Sequence, residues 1–573
     1  MKTQKEVLII FKTHLDVGFT DFSENIINKY LNEYIPNAIK VGNELKNTDT
    51  PFIWSVGSWM IAKALEEDTD GSVKKAIEDG ILNWHALPFT THTELMNETL
   101  FLYGLNISEK LDKQFGRKTI AAKMTDVPGH TIGMVPHLYD RGINFLHIGV
   151  NPATPLPPVP PLFKWKNGDK EITVMYQGDY GEEIAYDNFI IYFAHTGDNL
   201  GVQSPETIKE IYAEMQKKYP DAVLKAATLN DIAERIAKLD SLPVLEKEIG
   251  DTWIHGGGTD PQKVSRYRKA LRFIEENKAD YNLMDNLLMI PEHTWGMDIK
   301  TFFHNDRDFS VLELANCKEE REKVELSWKE QRGYVEKAEK ELKLVSDYPL
   351  SEPDLSEWKQ IENTENPDIE LSWQIFDNSD YERYQKDYMR IDLDWAIWDF
   401  TKVGLPDYKG AIYEATVTET YKKENSLLYK LEFSNDVASE YGLPYFYLEV
   451  SENRYTLKWF GKKACRLPQA CWLKFKNFDG DYELNKLGQW IKAEDIIGSP
   501  LISAVDKGVR NASTEINPLD SALVAPFGRR LLQYNCTDLK QDLYFNLYNN
   551  IWNTNFPMWY SDDAIFRFVL TER

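Results

Sequence analysis

Side chains able to bind a metal ion or move a proton recur just after apolar runs in the first half of the chain. His14 and Asp16 follow Val7–Phe11 in VLIIFKTHLDVGFTD. In an extended segment, side chains two residues apart leave on the same side, so an imidazole and a carboxylate are offered together. Asp126 follows the strand-like TIAAKMT and precedes a Pro128-Gly129 turn. A carboxylate at the end of a buried strand is costly unless it is paired or metal-bound. His293 stands in PEHTWGMD near the end of this half. Two imidazoles and two carboxylates, His14, Asp16, Asp126 and His293, are a ligand set that suits zinc. Other candidates are His85 and the pair His92 and Glu94, in and just after ILNWHALPF. They read as pocket-lining groups or as partners that orient the ligands.

The elements that must carry these residues are legible as period and punctuation. Buried strands are expected at 7–11, 52–56, 81–89, 119–125, 145–150, 171–176 and 223–228, with helices over 24–47, from Trp59 to Leu65, and over 72–79 and 98–115. His195 and Asp198 fall in YFAHTGDNLG, read as a Gly-bounded loop. DTWIHGGGTDP reads as a Gly-rich loop carrying Trp253 and His255. Repeated strand–helix units with polar residues at strand ends predict an α/β barrel of the (β/α)7 type over residues 1–300. Residues 301–350 are charged and read as a helical connector. From residue 351 to 573, short alternating strands predict an antiparallel β-sandwich. Within it, NNIWNTNFPMWYSDD is rich in Asn and Trp, and Trp552 either packs back on the fold or binds something.

Composition narrows the function. The net charge of −25 argues against nucleic acid and against an anionic membrane surface as partners. No run approaches a membrane span, and the N-terminus enters the first strand without a signal-peptide pattern, so a cytoplasmic location is expected. The four cysteines show no CxxC spacing and read as free thiols. All ten histidines lie between His14 and His304, whereas ten of sixteen tryptophans follow residue 320. Chemistry is expected in the first half and aromatic-rich β-structure in the second; the oligomeric state stays open.

The motifs and their order resemble glycoside hydrolase family 38, the zinc-dependent retaining α-mannosidases, and most nearly an uncharacterised bacterial branch. The family's H-x-D-x-G-W appears as His14-Leu15-Asp16-Val17-Gly18-Phe19. Its D-P-F-G-H-S appears as Asp126-Val127-Pro128-Gly129-His130-Thr131. FIWSVGSWMI, THTELMNETLFLYGLNISEKLDKQFGRK and GDTWIHGGGTDPQKVSRYRKALR follow its spacing, over about residues 5–300.

The resemblance implies that His14, Asp16, Asp126 and a late histidine bind Zn²⁺, and that Asp126 is also the nucleophile. It implies Asp198 as the acid/base, and a carbohydrate as the partner. Phe19 takes the place of a tryptophan near the sugar. Trp253, Trp295, Trp552, His85, His92, Glu94 and His255 are expected substrate contacts. The family's late motif has His-Asp adjacent, whereas here Thr294 follows His293, so His255 is a rival for the fourth ligand place. Two alternatives stand beside the α-mannosidase-like glycosidase. One is a zinc-dependent sugar de-N-acetylase using the same ligands; the other is a carbohydrate-binding relative without activity.

Overall fold

The computed structural model describes residues 5–277, 283–362, 366–498 and 501–573. The chain forms two compact units. The first comprises Met1–Thr91 and Phe101–Lys247; the second comprises His92–Leu100 and Glu248–Arg573.

The first unit is built on strand β1 (Glu6–His14), whose residues Val7 to Phe11 are all buried. A strand apolar on both faces belongs in the middle of a parallel sheet, and that is where it lies. One edge of β1 takes β9 (Phe189–Asp198) in parallel over its whole length. The other edge is shared by β10 (Val223–Ala226) and, beyond it, β2 (Trp54–Gly57), which continues to β3 (Leu82–His85). A second sheet runs β11 (Val244–Leu245), β6 (Leu162–Asn167), β7 (Lys170–Gln177), β5 (Phe145–Val150), β4 (Ala121–Asp126). Its β4, β5 and β7 are parallel, whereas β6 is antiparallel to β7. The strand–helix order is thus as expected, but the ladders form two sheets among the described residues rather than one continuous ring.

Two local differences have physical causes. The expected helix over 24–47 is divided into Ser23–Lys29 and Ile35–Leu45 by a π-helical turn, Tyr30–Tyr34. Pro36 lacks the amide that an α-helical ladder needs there, and the chain accommodates it with a wider turn. The expected loop at YFAHTGDNLG is instead the end of ten-residue β9. Its alternation is masked because β1 buries one edge and polar residues fill the other end.

The second unit joins helices to two antiparallel sheets, of ten and six strands. The sheets meet through aromatic contacts such as Trp373 with Trp459 (5.9 Å) and Phe475 with Phe568 (5.4 Å). This explains the late tryptophans: large rings fill the space between two sheets. The helix Lys318–Leu342 packs along Pro261–Asn277, and Arg266 Nε donates to both oxygens of Glu339 (3.0 and 3.1 Å). No described helix is long and apolar enough to cross a membrane.

A buried ion triad ties His92–Leu100 into this unit. Lys486, fully buried, donates to Glu94 and to Glu248, both at 2.8 Å. Burial opposes its charge, but the two carboxylates outweigh that and hold the lysine protonated. Replacing Lys486 with Met leaves two buried carboxylates without a cation. We expect a loss of roughly 3–5 kcal/mol in urea unfolding followed by tryptophan fluorescence; a loss below about 1 kcal/mol would show the triad to be unimportant.

Candidate metal centre

The end of β1 is shaped by an irregularity in its pairing with β9. Lys12 pairs with His195, but two residues later His14 pairs with Asp198, because the register shifts between them. The bulge lets β1 turn after His14 while Asn199, in left-handed conformation, closes over it. Asn199 N–H donates to His14 O (2.9 Å). Its side-chain oxygen accepts Asp16 N–H (3.1 Å), and its amide donates to Asp16 O and Gly18 O (both 3.0 Å). Tyr30 and Tyr34, presented by the π turn, complete the clamp: their hydroxyls donate to His14 O (3.1 Å) and Asn199 O (2.7 Å). His14 Nε2 and Asp16 Oδ1 end 3.2 Å apart, both buried.

Asp126, the last residue of β4, has φ +81°. Val127 N–H donates back to Thr125 O (3.1 Å), closing a three-residue turn on it. For a residue with a Cβ this conformation costs on the order of 1–3 kcal/mol and is kept where the surroundings over-determine it. Asn151 does so from the next strand's end, donating its main-chain N–H to Asp126 O (2.9 Å) and its side-chain amide to Asp126 Oδ1 (3.2 Å). The Tyr180 hydroxyl donates to the same oxygen at 2.5 Å. Burial, then the Asp126 charge, push the Tyr180 phenol well above its usual range, so it stays a donor. Tyr180 reaches this position because Gly181 lets the Phe193 ring pass 2.5 Å from where a Cβ would stand.

His14, Asp16 and Asp126 therefore converge: each offers a ligand atom, and these atoms lie within 4.8 Å of one another, all in buried residues. The group can hold a metal ion. A cation with ligand distances of about 2.0–2.2 Å needs them only slightly closer, and it would relieve the charge of two buried carboxylates.

The other sequence candidates fall in distinct places. In the first unit, Asp198 lies opposite His14, and Phe19 is half-buried with φ +62°. His85, at the end of β3, lines an internal cavity with Lys12, His14 and Lys123. Burial, then the Lys123 and Lys12 charges, lower its imidazole to about 3, so the ring is neutral. Burial likewise lowers Lys12 to about 7, against the pull of Asp198.

In the second unit, His293 Nδ1 lies 2.8 Å from Glu292 Oε1, and Thr294 N–H donates to Glu292 Oε2 (2.9 Å). His92 Nδ1 lies 2.6 Å from Asp251 Oδ2. Glu94 is engaged by Lys486 and by the Ala504 amide (2.8 Å), a structural position. Trp253 donates to the Tyr388 hydroxyl (2.9 Å). Trp552 is buried and meets His255 edge-on at 4.1 Å. Burial lowers the His255 imidazole to about 3. Trp295 carries the Lys263 ammonium 3.8 Å from its ring centre.

Sequence reasoning passed over Tyr180, Asn151 and Asn199. Asn199, in GDN after an expected strand, carried a turn signal; Tyr180 carried none, since only the tertiary fold brings it to Asp126.

A family model described as a domain of unknown function (DUF5054) matches residues 257–353. No curated protein matches the chain. Among solved structures, the fold is similar to that of an alpha-mannosidase from Enterococcus faecalis V583, with TM-score 0.62 and 8% identity over 100% of this chain and 87% of that one. It is also similar to a protein in glycosyl hydrolase family 38 from Enterococcus faecalis, with TM-score 0.57 and 8% identity over 100% and 86% of the two chains. At that identity the likeness is one of fold.

Asn199→Ala removes the clamp on the His14–Asp16 turn without touching a ligand. Metal affinity should fall about 10–100-fold, read by competition with a chelating dye, with the far-UV circular dichroism unchanged. Unaltered affinity would mean that the turn holds itself.

Proposed function

We propose that this protein is a zinc-dependent retaining glycoside hydrolase acting on α-mannosides or related α-glycosides. The observation that carries the reading is Asp126: a buried carboxylate held in a strained turn by Asn151 and Tyr180, beside His14 and Asp16. Strain of this kind is characteristic of groups that must meet a reacting atom. The fold shared with an alpha-mannosidase and a glycosyl hydrolase family 38 protein points the same way.

In this reading His14, Asp16, Asp126 and His293 are the zinc ligands. Mixed nitrogen and carboxylate donors suit zinc better than magnesium or calcium, which favour oxygen alone. His293 is preferred to His255 because Glu292 orients its ring through Nδ1, the way metal-ligating histidines are usually held. His255 is instead packed against Trp552. Zinc, when bound, would hold sugar hydroxyls and favour a distorted ring.

The chain's own residues then do the following. A carboxylate oxygen of Asp126 attacks the anomeric carbon, and the glycosidic C–O bond breaks as Asp198 gives a proton to the leaving oxygen. Water next attacks the glycosyl–Asp126 ester, with Asp198 taking its proton, and the sugar leaves with its configuration retained. The Tyr180 hydroxyl and the Asn151 amide hold one Asp126 oxygen. Phe19, His92, Trp253, His255, Trp295 and Trp552 are the proposed sugar contacts, with His85 behind the ligands.

The deciding experiment is trapping with an activated fluoroglycoside, read by peptide mass spectrometry. A glycosyl adduct on Asp126 is expected. Asp126→Asn should lower kcat on an aryl α-mannoside on the order of 10³-fold or more while the fold is retained. Adduct-free protein that releases acetate from an N-acetylated sugar would replace this reading with the de-N-acetylase. About one zinc per chain is expected by plasma mass spectrometry of protein purified without added metal.

A further inference from the structure

Beside the metal-binding group, the first unit has a cavity of about 50 Å³. By the same measure one water takes roughly 10–15 Å³, so the space suits a few small atoms. Its apolar walls include Ile10, Val56 and Met60, but hydrogen-bond donors also line it, among them Lys12, His85 and Ser55. Lys12 Nζ, His85 Nδ1 and Ser55 Oγ are each buried and have no protein hydrogen-bond partner among the described residues. Lys12 is only 4% exposed.

A second lysine, Lys123, also lines the cavity and is equally buried. Burial lowers both amines, Lys12 to about 7 and Lys123 well below its usual range. Lys123 Nζ contacts neutral acceptors: His147 Nδ1 at 2.6 Å and Tyr180 O at 3.3 Å. His147 is held in turn by Gln177 Oε1 at 2.6 Å, so this side of the cavity is rigid. The charges that act on Lys12 from neighbouring elements are those of Asp198, Asp179 and Asp126, and on Lys123 those of Lys12 and Asp179. His85 feels only the two lysines. The cavity thus gathers donors that the protein leaves without acceptors.

We propose that this cavity is a binding site for a halide-sized monovalent anion, chloride in ordinary solutions, held by Lys12 Nζ and Lys123 Nζ with His85 Nδ1–H and Ser55 Oγ–H. The anion accepts the hydrogens that the protein leaves without acceptors and offsets the burial that disfavours charge on both amines. It also fixes Lys12 two residues before His14, so the ligand turn rests on it. The inference does not depend on the glycosidase reading, because its readout is the anion itself.

The test is diffraction at the bromine absorption edge from crystals of the intact protein grown or soaked in sodium bromide. An anomalous peak in hydrogen-bond contact with Lys12 Nζ and Lys123 Nζ is expected. No peak there, or peaks confined to the surface, overturns the proposal. In solution, chloride in place of gluconate at equal ionic strength should raise the melting temperature on the order of 2–4 °C. Lys12→Met should abolish both the shift and the peak; a peak that survives in it would show that Lys12 does not hold the anion. If that variant fails to fold, the bromide result on the unaltered protein decides.

Discussion

The pairing of β1 with β9, and the shift of register between Lys12 and His14, governs the chemistry of the first unit. Parallel strands hold their side chains in fixed rows, and a bulge re-aims the residues beyond it. Before the shift, Lys12 is buried and His195 half-buried. After it, His14, Asp198 and Asn199 meet at the strand ends, where open α/β folds place their sites. Without the shift Asn199 could not reach the His14 and Asp16 backbone, and the turn would need another closure.

Buried charge is handled differently in the two units. In the second, Glu94, Lys486 and Glu248 satisfy one another. In the first, Asp16 and Asp126 are brought together with His14, while Lys12 stands nearby without a protein acceptor. A triad that is closed upon itself stabilises a fold; imidazole and carboxylate groups that converge on one point are what a binding centre requires.

Much of this was legible in the sequence where local signals were strong. The buried run of β1, the Asp that ends β4 and the aromatic-rich late strands all have periods or punctuation that report burial directly. The signals failed where a neighbour decided. YFAHTGDNLG contains two glycines and reads as loop, yet β1 supplies a partner edge and makes most of it strand. The helix over 24–47 has an unbroken apolar stripe, yet Pro36 forces a π turn, and that turn is what presents Tyr30 and Tyr34 to the ligand loop. Glu94 reads as polar beside a strand end, and its partners Lys486 and Ala504 lie hundreds of residues away.

The sequence by itself determined which residue types could do chemistry and where strands would end near them, because buried apolar runs and the cost of a desolvated carboxylate are local facts. It also determined the order of α/β and antiparallel regions, since hydrophobic period is read along the chain. Only the tertiary structure decided which polar groups meet. The strained turn at Asp126, the Tyr180 hydroxyl on its oxygen, the Asn199 clamp and the paired lysines all join residues from separate strands. Their positions depend on ladder register, which a shift of one residue would send to the opposite face of the sheet.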